Sequence, residues 1–364
     1  MGLPSPGVPA HALDTPALVV DLDAMERNVA RIAGFLREAG VAWRPHTKGL
    51  KVPAIAHRLL RAGAIGITCA KVSEAEVMAS AGISNILVAN QVVGEHKLRR
   101  LAGLCRWADV IVAVDNAENV RQIGQIARSA GVSIGVLVEV NVGMDRCGVE
   151  PGSPALDLAR LVHATEGVNL RGLMGWEGHT MAIRDPDARA PVVIAAISAL
   201  TSTAAQCRAA GLPVEIVSCG GTGTYRQSAL QSGVTEVQAG GGVFGDVFYR
   251  DAGVDAEPAL TVLATVTSRP APDRVVTDAG RKAMSADAAL PQPVGVRDVR
   301  RVRLSAEHGA IELEAPTESP RVGEKIAFTV GYADTTVFLH DYLYGVRGGT
   351  VEVVWPILGR GKLQ

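Results

Sequence analysis

Arg44-Pro45-His46-Thr47-Lys48 closes an apolar run that begins at Val41 and opens a long alternation of short apolar and amphipathic segments. Just upstream, 23–39 reads as a helix, with Met25, Val29, Ile32, Ala33 and Leu36 at helical spacing. Downstream the pattern repeats. Strands are predicted at 41–46, 65–69, 85–89, 108–114, 134–141, 170–175, 214–218 and 234–238. Helices are predicted between them, at roughly 52–62, 73–81, 94–103, 116–130, 152–165, 187–210 and 223–230. Short strands that are apolar almost throughout are buried on both faces, and helical crossovers make them parallel. The fold expected is therefore α/β, a closed (β/α)8 barrel of the TIM type. An open doubly wound sheet would carry a G-x-G-x-x-G turn after its first strand, and the sequence has none there.

In such barrels the reacting groups gather at the carboxyl ends of the strands, which is where Lys48 falls. An amine there is a candidate for imine (Schiff-base) chemistry, although a lysine at a strand end is otherwise an ordinary surface charge. Ser218-Cys219-Gly220-Gly221-Thr222-Gly223-Thr224 follows the seventh predicted strand and opens a helix. Successive glycines let backbone N–H groups approach an anion, and threonine hydroxyls add donors. Gln238-Ala239-Gly240-Gly241-Gly242 follows the eighth strand, where barrels of this kind bind phosphate, and it reads equally as a flexible connection to a second domain. A lysine and a phosphate cradle in one barrel mouth point to pyridoxal 5'-phosphate (PLP), an aldehyde that carries a phosphate. Past the fifth strand, Arg146 is placed to tune the cofactor ring, or to pair with Asp145 or Glu139. Trp176-Glu177-Gly178-His179 ends the sixth strand, offering Trp176 as a cofactor contact and His179 as a general base near neutral pH.

The texture changes past about residue 256. Ala259–Val266 and Lys325–Val330 are rich in β-branched residues and set apart by Pro, Gly and Asp, the pattern of an antiparallel β domain. The expected organisation is a flexible tail over 1–12, a strand within 13–24 joining the β domain, a PLP-binding barrel over 25–255 and a C-terminal β domain over 256–364. The net charge of -1 gives no reason to expect a nucleic-acid partner, and no signal peptide or membrane-spanning run is expected. The five cysteines are odd in number, lack a CxxC and suit a reducing, cytoplasmic setting.

Together these segments resemble the D-threonine aldolase and D-serine dehydratase-like family of fold-type III PLP enzymes, relatives of alanine racemase. The likeness runs from Thr15-Pro16-Ala17 to the tail segment Leu339–Arg347. Arg44-Pro45-His46-Thr47-Lys48 matches the family's R-P-H-x-K, whose lysine binds PLP. Gly220–Thr224 matches its phosphate loop, and Val142-Gly143 through Arg146-Cys147-Gly148 its arginine segment. The resemblance implies a PLP-binding barrel and a homodimer whose active site the partner's β domain completes. The cofactor set is then Lys48, His46, Arg146, Trp176, Ser218, Gly220, Gly221, Thr222, Gly223, Thr224, Gln238, Gly240 and Gly241.

Two departures stand out. Where the family reads K-x-H-K, this chain has Lys48-Gly49-Leu50-Lys51, with leucine for histidine. The family's divalent metal (Mn2+, Mg2+ or Zn2+) is held by a His-x-Asp or His-x-Cys pair; here the stretch is Tyr332-Ala333-Asp334. Asp334 remains as a metal-ligand candidate, but a neutral phenol is a poor ligand, so no family-type metal site is expected unless His308 or His340 joins it in space. The resemblance implies a lyase cleaving a small D-configured or α-substituted β-hydroxy amino acid by retro-aldol reaction, with Lys48 as its Schiff-base lysine; without the metal, another base is needed, and His179 and Tyr332 are the catalytic candidates. The rivals are a dehydratase of the D-serine or 3-hydroxyaspartate type, a metal-free racemase or epimerase pairing Lys48 with Tyr332, and a PLP carrier protein. The long β domain argues against the carrier.

Overall fold

A computed structural model describes residues 6–364. The chain divides into two compact units. One comprises Arg31–Lys48, Ile55–Gly240 and Lys362–Gln364; the other takes in the described residues up to Ala30, with Gly49–Ala54 and Gly241–Gly361. The first strand, β1 (Ala17–Asp21), belongs to the second of these.

The first unit is a barrel. Its strands are β2 (Ala42–Trp43), β3 (Ile67–Cys69), β4 (Asn85–Gln91), β5 (Asp109–Val114), β6 (Ile134–Glu139), β7 (Val168–Met174), β8 (Ile216–Cys219) and β9 (Glu236–Val237). They run parallel in the order β2-β9-β8-β7-β6-β5-β4-β3. A parallel bridge between His46 and Thr68 joins the two ends of that order. Around it, Thr47 N donates to Thr68 O at 2.7 Å and Thr68 N donates to Pro45 O at 2.9 Å. The strand expected over 41–46 is regular only at its first residues, because Pro45 has no N–H to give to a ladder. Leu87, Ile111, Ala113, Leu137, Met174 and Ile216 form an apolar cluster from five neighbouring strands. The crossover helices fall where helical spacing places them, within a residue or two. The last of them, expected over 223–230, is a short one, Tyr225–Ala229. The longest helix, Pro186–Ala209, begins at an N-cap Asp185 and buries Val193, Ala196, Ile197, Leu200, Ala204 and Cys207. Contrary to the sequence expectation, it is long and apolar enough to cross a membrane by length and composition alone.

Arg44 ties the closing seam from inside. Its Nε donates to both carboxylate oxygens of Glu236 at 3.0 Å, and Nη1 donates to Asn85 Oδ1 at 2.5 Å. Both charged side chains are only 3% exposed.

The second unit is a nine-stranded sheet. After β1 it comprises β10 (Leu260–Ala271), β11 (Arg274–Thr277), β12 (Gln292–Pro293), β13 (Val299–Leu304), β14 (Gly309–Leu313), β15 (Lys325–Thr329), β16 (Tyr342–Arg347) and β17 (Thr350–Pro356). The main path is β13-β14-β11-β10-β1-β16-β17, with β15 beside β10 and β12 beside β15. The sheet is mixed rather than wholly antiparallel, since β1 pairs antiparallel with β10 but parallel with β16. Of the tail expected over 1–12, residues 1–5 lie outside the described residues. From Gly7 onward the backbone is held, with Gly7 N donating to Val351 O and Ala10 N to Gly349 O, both at 2.8 Å. Leu13 is buried against Ala17 and Val351.

The buried pair at the seam yields a test. Replacing Arg44 by Met strands the Glu236 carboxylate and should lower unfolding free energy by about 3–5 kcal/mol, read by urea denaturation. The double replacement Arg44→Met with Glu236→Leu should recover most of that loss, because no charge is left unpaired.

Candidate active site

Lys48 leaves the barrel directly after the closing bridge. Its backbone N–H donates to His46 Nδ1 at 3.3 Å, and His46 N donates to Gln238 O at 3.0 Å. The Lys48 ammonium stands 5.4 Å from the ring centroid of Trp176, and the Arg146 guanidinium carbon stands 5.0 Å from it. Side chains predicted from the ends of β2, β6 and β7 therefore meet at one indole, whose electron-rich face favours cations. The salt bridge considered for Arg146 is also present in outline, with Nη2 3.9 Å from Glu139 Oε1. Glu139 is buried and accepts from Gln91 Nε2 at 2.6 Å and from Cys147 Sγ at 3.2 Å. Burial and that carboxylate push the Cys147 thiol up, away from a reactive thiolate.

The loop after β8 turns at Gly220, whose φ of +73° lies where side chains are rarely accommodated. Glu177, fully buried, holds the loop from beneath. Its carboxylate accepts from Gly220 N at 3.3 Å, Thr224 Oγ1 at 2.6 Å and Ser228 Oγ at 2.6 Å. Thr224 Oγ1 in turn accepts from Gly221 N at 3.0 Å. The Thr224 hydroxyl, expected on a phosphate, is thus turned inward to Glu177. The single turn that follows contributes less dipole than the longer helix expected. Thr222 and Gly223 lie between these anchored positions. Ser218 and Gln238 bond each other, Gln238 Nε2 donating to Ser218 Oγ at 2.8 Å. A β-carbon at Gly240 would fall 2.1 Å from His46 O, and one at Gly241 would fall 2.6 Å from the Tyr249 ring, so packing alone accounts for these two glycines.

Sequence reasoning passes over Glu177, quoted but given no role. The signal was a carboxylate at a strand end whose neighbouring strand leads into a loop of Gly, Thr and Ser. His179, by contrast, lies against Gly143, where an added β-carbon would be 3.0 Å from Cε1 and Nε2. Its Nδ1 is enclosed with no hydrogen-bond partner among the described residues. It lines a cavity of about 380 Å³ with Asn141, Asp145, Glu150, Val192 and Ala196.

In the β unit, Tyr332 Oη donates to Asp334 Oδ2 at 2.9 Å, and the Tyr332 ring packs on Phe248 and Tyr249. Burial first, then Tyr249 and Asp334, hold this phenol far above its ordinary pKa. Asp334 sits against Gly49, the residue after Lys48, where an added β-carbon would fall 2.2 Å from Oδ1. Asp246 accepts from Ala333 N at 2.9 Å and Tyr249 N at 3.0 Å, and burial raises its pKa to about 7. Leu50, in the place of the family histidine, is fully buried. His340 Nε2 is engaged with Ala283 O at 2.6 Å, and His308 is exposed. No group of three or more His, Cys, Asp or Glu suited to a metal ion occurs among the described residues. A phenol locked as donor to the one carboxylate does not fit a divalent ion.

Residues 20–247 match the family model described as alanine racemase, N-terminal domain. The chain belongs to the alanine racemase N-terminal domain family. A second model of that kind, a putative serine dehydratase domain, matches 259–346. Within the alanine racemase-like family, the chain is 40% identical over 360 residues to a D-threonine aldolase from Arthrobacter sp., covering 98% of this chain and 95% of the relative. It is 34% identical over 371 residues to a 3-hydroxy-D-aspartate aldolase from Paracoccus denitrificans (strain Pd 1222), with the same coverages. The crystal structure of D-threonine aldolase from Filomicrobium marinum superposes with a TM-score of 0.97 at 40% identity, covering 100% of both chains.

The two close approaches at glycine should separate in practice. Gly240→Ala drives a β-carbon into backbone, and should cost about 1–3 kcal/mol or more. Gly223→Ala meets only the movable end of Met181 and should cost less. Thermal denaturation of the two variants reads the difference.

Proposed function

We propose that this protein is a PLP-dependent lyase that breaks the Cα–Cβ bond of a small D-configured or α-substituted β-hydroxy amino acid, releasing an aldehyde and a smaller amino acid. The observation that carries this reading is the meeting of Lys48 and Arg146 on Trp176 at the barrel mouth, in a chain 40% identical over 98% of its length to a D-threonine aldolase.

The residues present fit the cofactor. Lys48 would hold the cofactor through its amine, at the carbonyl carbon. Trp176 sets the width of the mouth beside it. Arg146 is permanently charged and keeps a positive group at the same indole, where it can serve an electron-rich ring or an oxyanion. Thr222 and Gly223 are assigned to the phosphate oxygens, with the turn at Gly220 and the anchored Thr224 shaping the loop around them. The cofactor, when bound, supplies an electron sink for the pair released at Cα. Within the β unit, Tyr332 orients the Asp334 carboxylate through its hydrogen bond. Tyr332 as the second base of a racemase would require a phenolate, which its burial opposes. His179, set against Gly143, is given no proton to move. The five cysteines form no disulfide among the described residues, which supports a reducing, cytoplasmic setting, and the family resemblance supports a homodimer.

Incubation with D-threonine or D-phenylserine should release acetaldehyde or benzaldehyde together with glycine, and Lys48→Ala should lose both this activity and the visible absorbance of bound PLP. Ammonia and a keto acid in place of aldehyde would make the protein a dehydratase instead. Failure of borohydride to fix a pyridoxyl label on the Lys48 peptide would remove Lys48 from its role. Because a divalent ion does not fit the Tyr332–Asp334 pair, activity should be unchanged by EDTA. Inhibition by the chelator, reversed by Mn2+ or Mg2+, would overturn this reading of the pair.

A further inference from the structure

Glu177 presents a physical tension, because a buried carboxylate under a loop assigned to a dianionic phosphate ought to repel it. Its hydrogen bonds resolve the tension. Gly220 N, Thr224 Oγ1 and Ser228 Oγ all donate downward to it, and none of the three protons can then point at a ligand. With Thr224 Oγ1 accepting from Gly221 N, the turn is fixed on either side of Thr222 and Gly223. The segment that carries Glu177 meets the loop twice more. A β-carbon at Gly221 would stand 3.0 Å from Trp176 Nε1, and one at Gly223 would overlap the Met181 sulfur. Trp176 is also the indole that Lys48 and Arg146 approach.

Resting on the cofactor reading above, we propose that Glu177 is the positioning residue of the phosphate loop. Together with Trp176 it forms a ruler that sets the distance between the loop and the Lys48 amine. The neighbouring residues of one strand end thereby fix both ends of a single ligand, the phosphate through Glu177 and the aldehyde through Trp176. A cofactor lacking the phosphate uses only one end of this ruler.

The test compares PLP with pyridoxal, its phosphate-free form, by equilibrium titration of the apoprotein followed in visible absorbance and tryptophan fluorescence. Removing hydrogen bonds to a charged acceptor, Glu177→Ala should weaken PLP about 10- to 100-fold while pyridoxal changes by less than about twofold. Glu177→Gln removes the negative charge but cannot accept from all three donors, so it should also weaken PLP. If it tightens PLP instead, charge repulsion rather than positioning governs the site and the proposal fails. Ser228→Ala and Thr224→Val should weaken PLP selectively to a smaller degree, and add nothing in the Glu177→Ala background. They carry the test if Glu177→Ala does not fold. Equal preference for PLP over pyridoxal in the wild type and all these variants would overturn the role of Glu177 alone. A wild type with no such preference would overturn the phosphate loop itself.

Discussion

A parallel sheet of eight strands exposes two raw edges unless they meet, and in this chain they meet through one short run of backbone. The hydrogen bonds of Pro45 and Thr47 with Thr68, and that of His46 with Gln238, join β2 on either side. Lys48 is the next residue out. The position of the amine is therefore set by closure of the barrel itself and not by a loop, which is the rigid kind of support that a reacting group requires. Gly240 belongs to the same constraint, since the seam leaves no space for a side chain against His46.

From that edge the remaining groups follow by strand order. The ends of β6 and β7 bring Arg146 and Trp176 to the same place, while the turn after β8 is held by the residue next to Trp176. Each contributor comes from a separate strand end, a division of labour that lets a (β/α)8 scaffold alter one loop without disturbing the others. In the β unit the chemistry is of a different kind. A phenol, a carboxylate and the buried Asp246 form a hydrogen-bonded group around Ala333.

Barrel and strand order were legible because buried parallel strands have a nearly continuous apolar signature, and the eight segments found lie on those expected. Legibility failed where local sequence is silent about partners. Pro45 shortens β2 to two residues, though its effect on a ladder is a matter of which neighbour asks for the missing N–H. The parallel pairing of β1 with β16 joins residues more than three hundred apart, and no periodicity encodes it. At the site, Lys48, Arg146 and Trp176 were legible as strand-end residues and the structure brings them together. Thr224 was legible as a donor but not the direction of its hydroxyl, because the acceptor, Glu177, comes from another strand. His179, three residues after Trp176, lies against Gly143.

The sealed ion pair of Arg44 and Glu236 bears on how this barrel responds to warming. Hydration of isolated charges loses its advantage as temperature rises, so the penalty for keeping both groups dry shrinks, while the contribution of apolar contacts levels off. The join between first and last strands is thus the part of the molecule whose relative grip improves with heat. Thermal failure would then start in apolar layers or peripheral helices rather than by the cylinder springing open beside its amine.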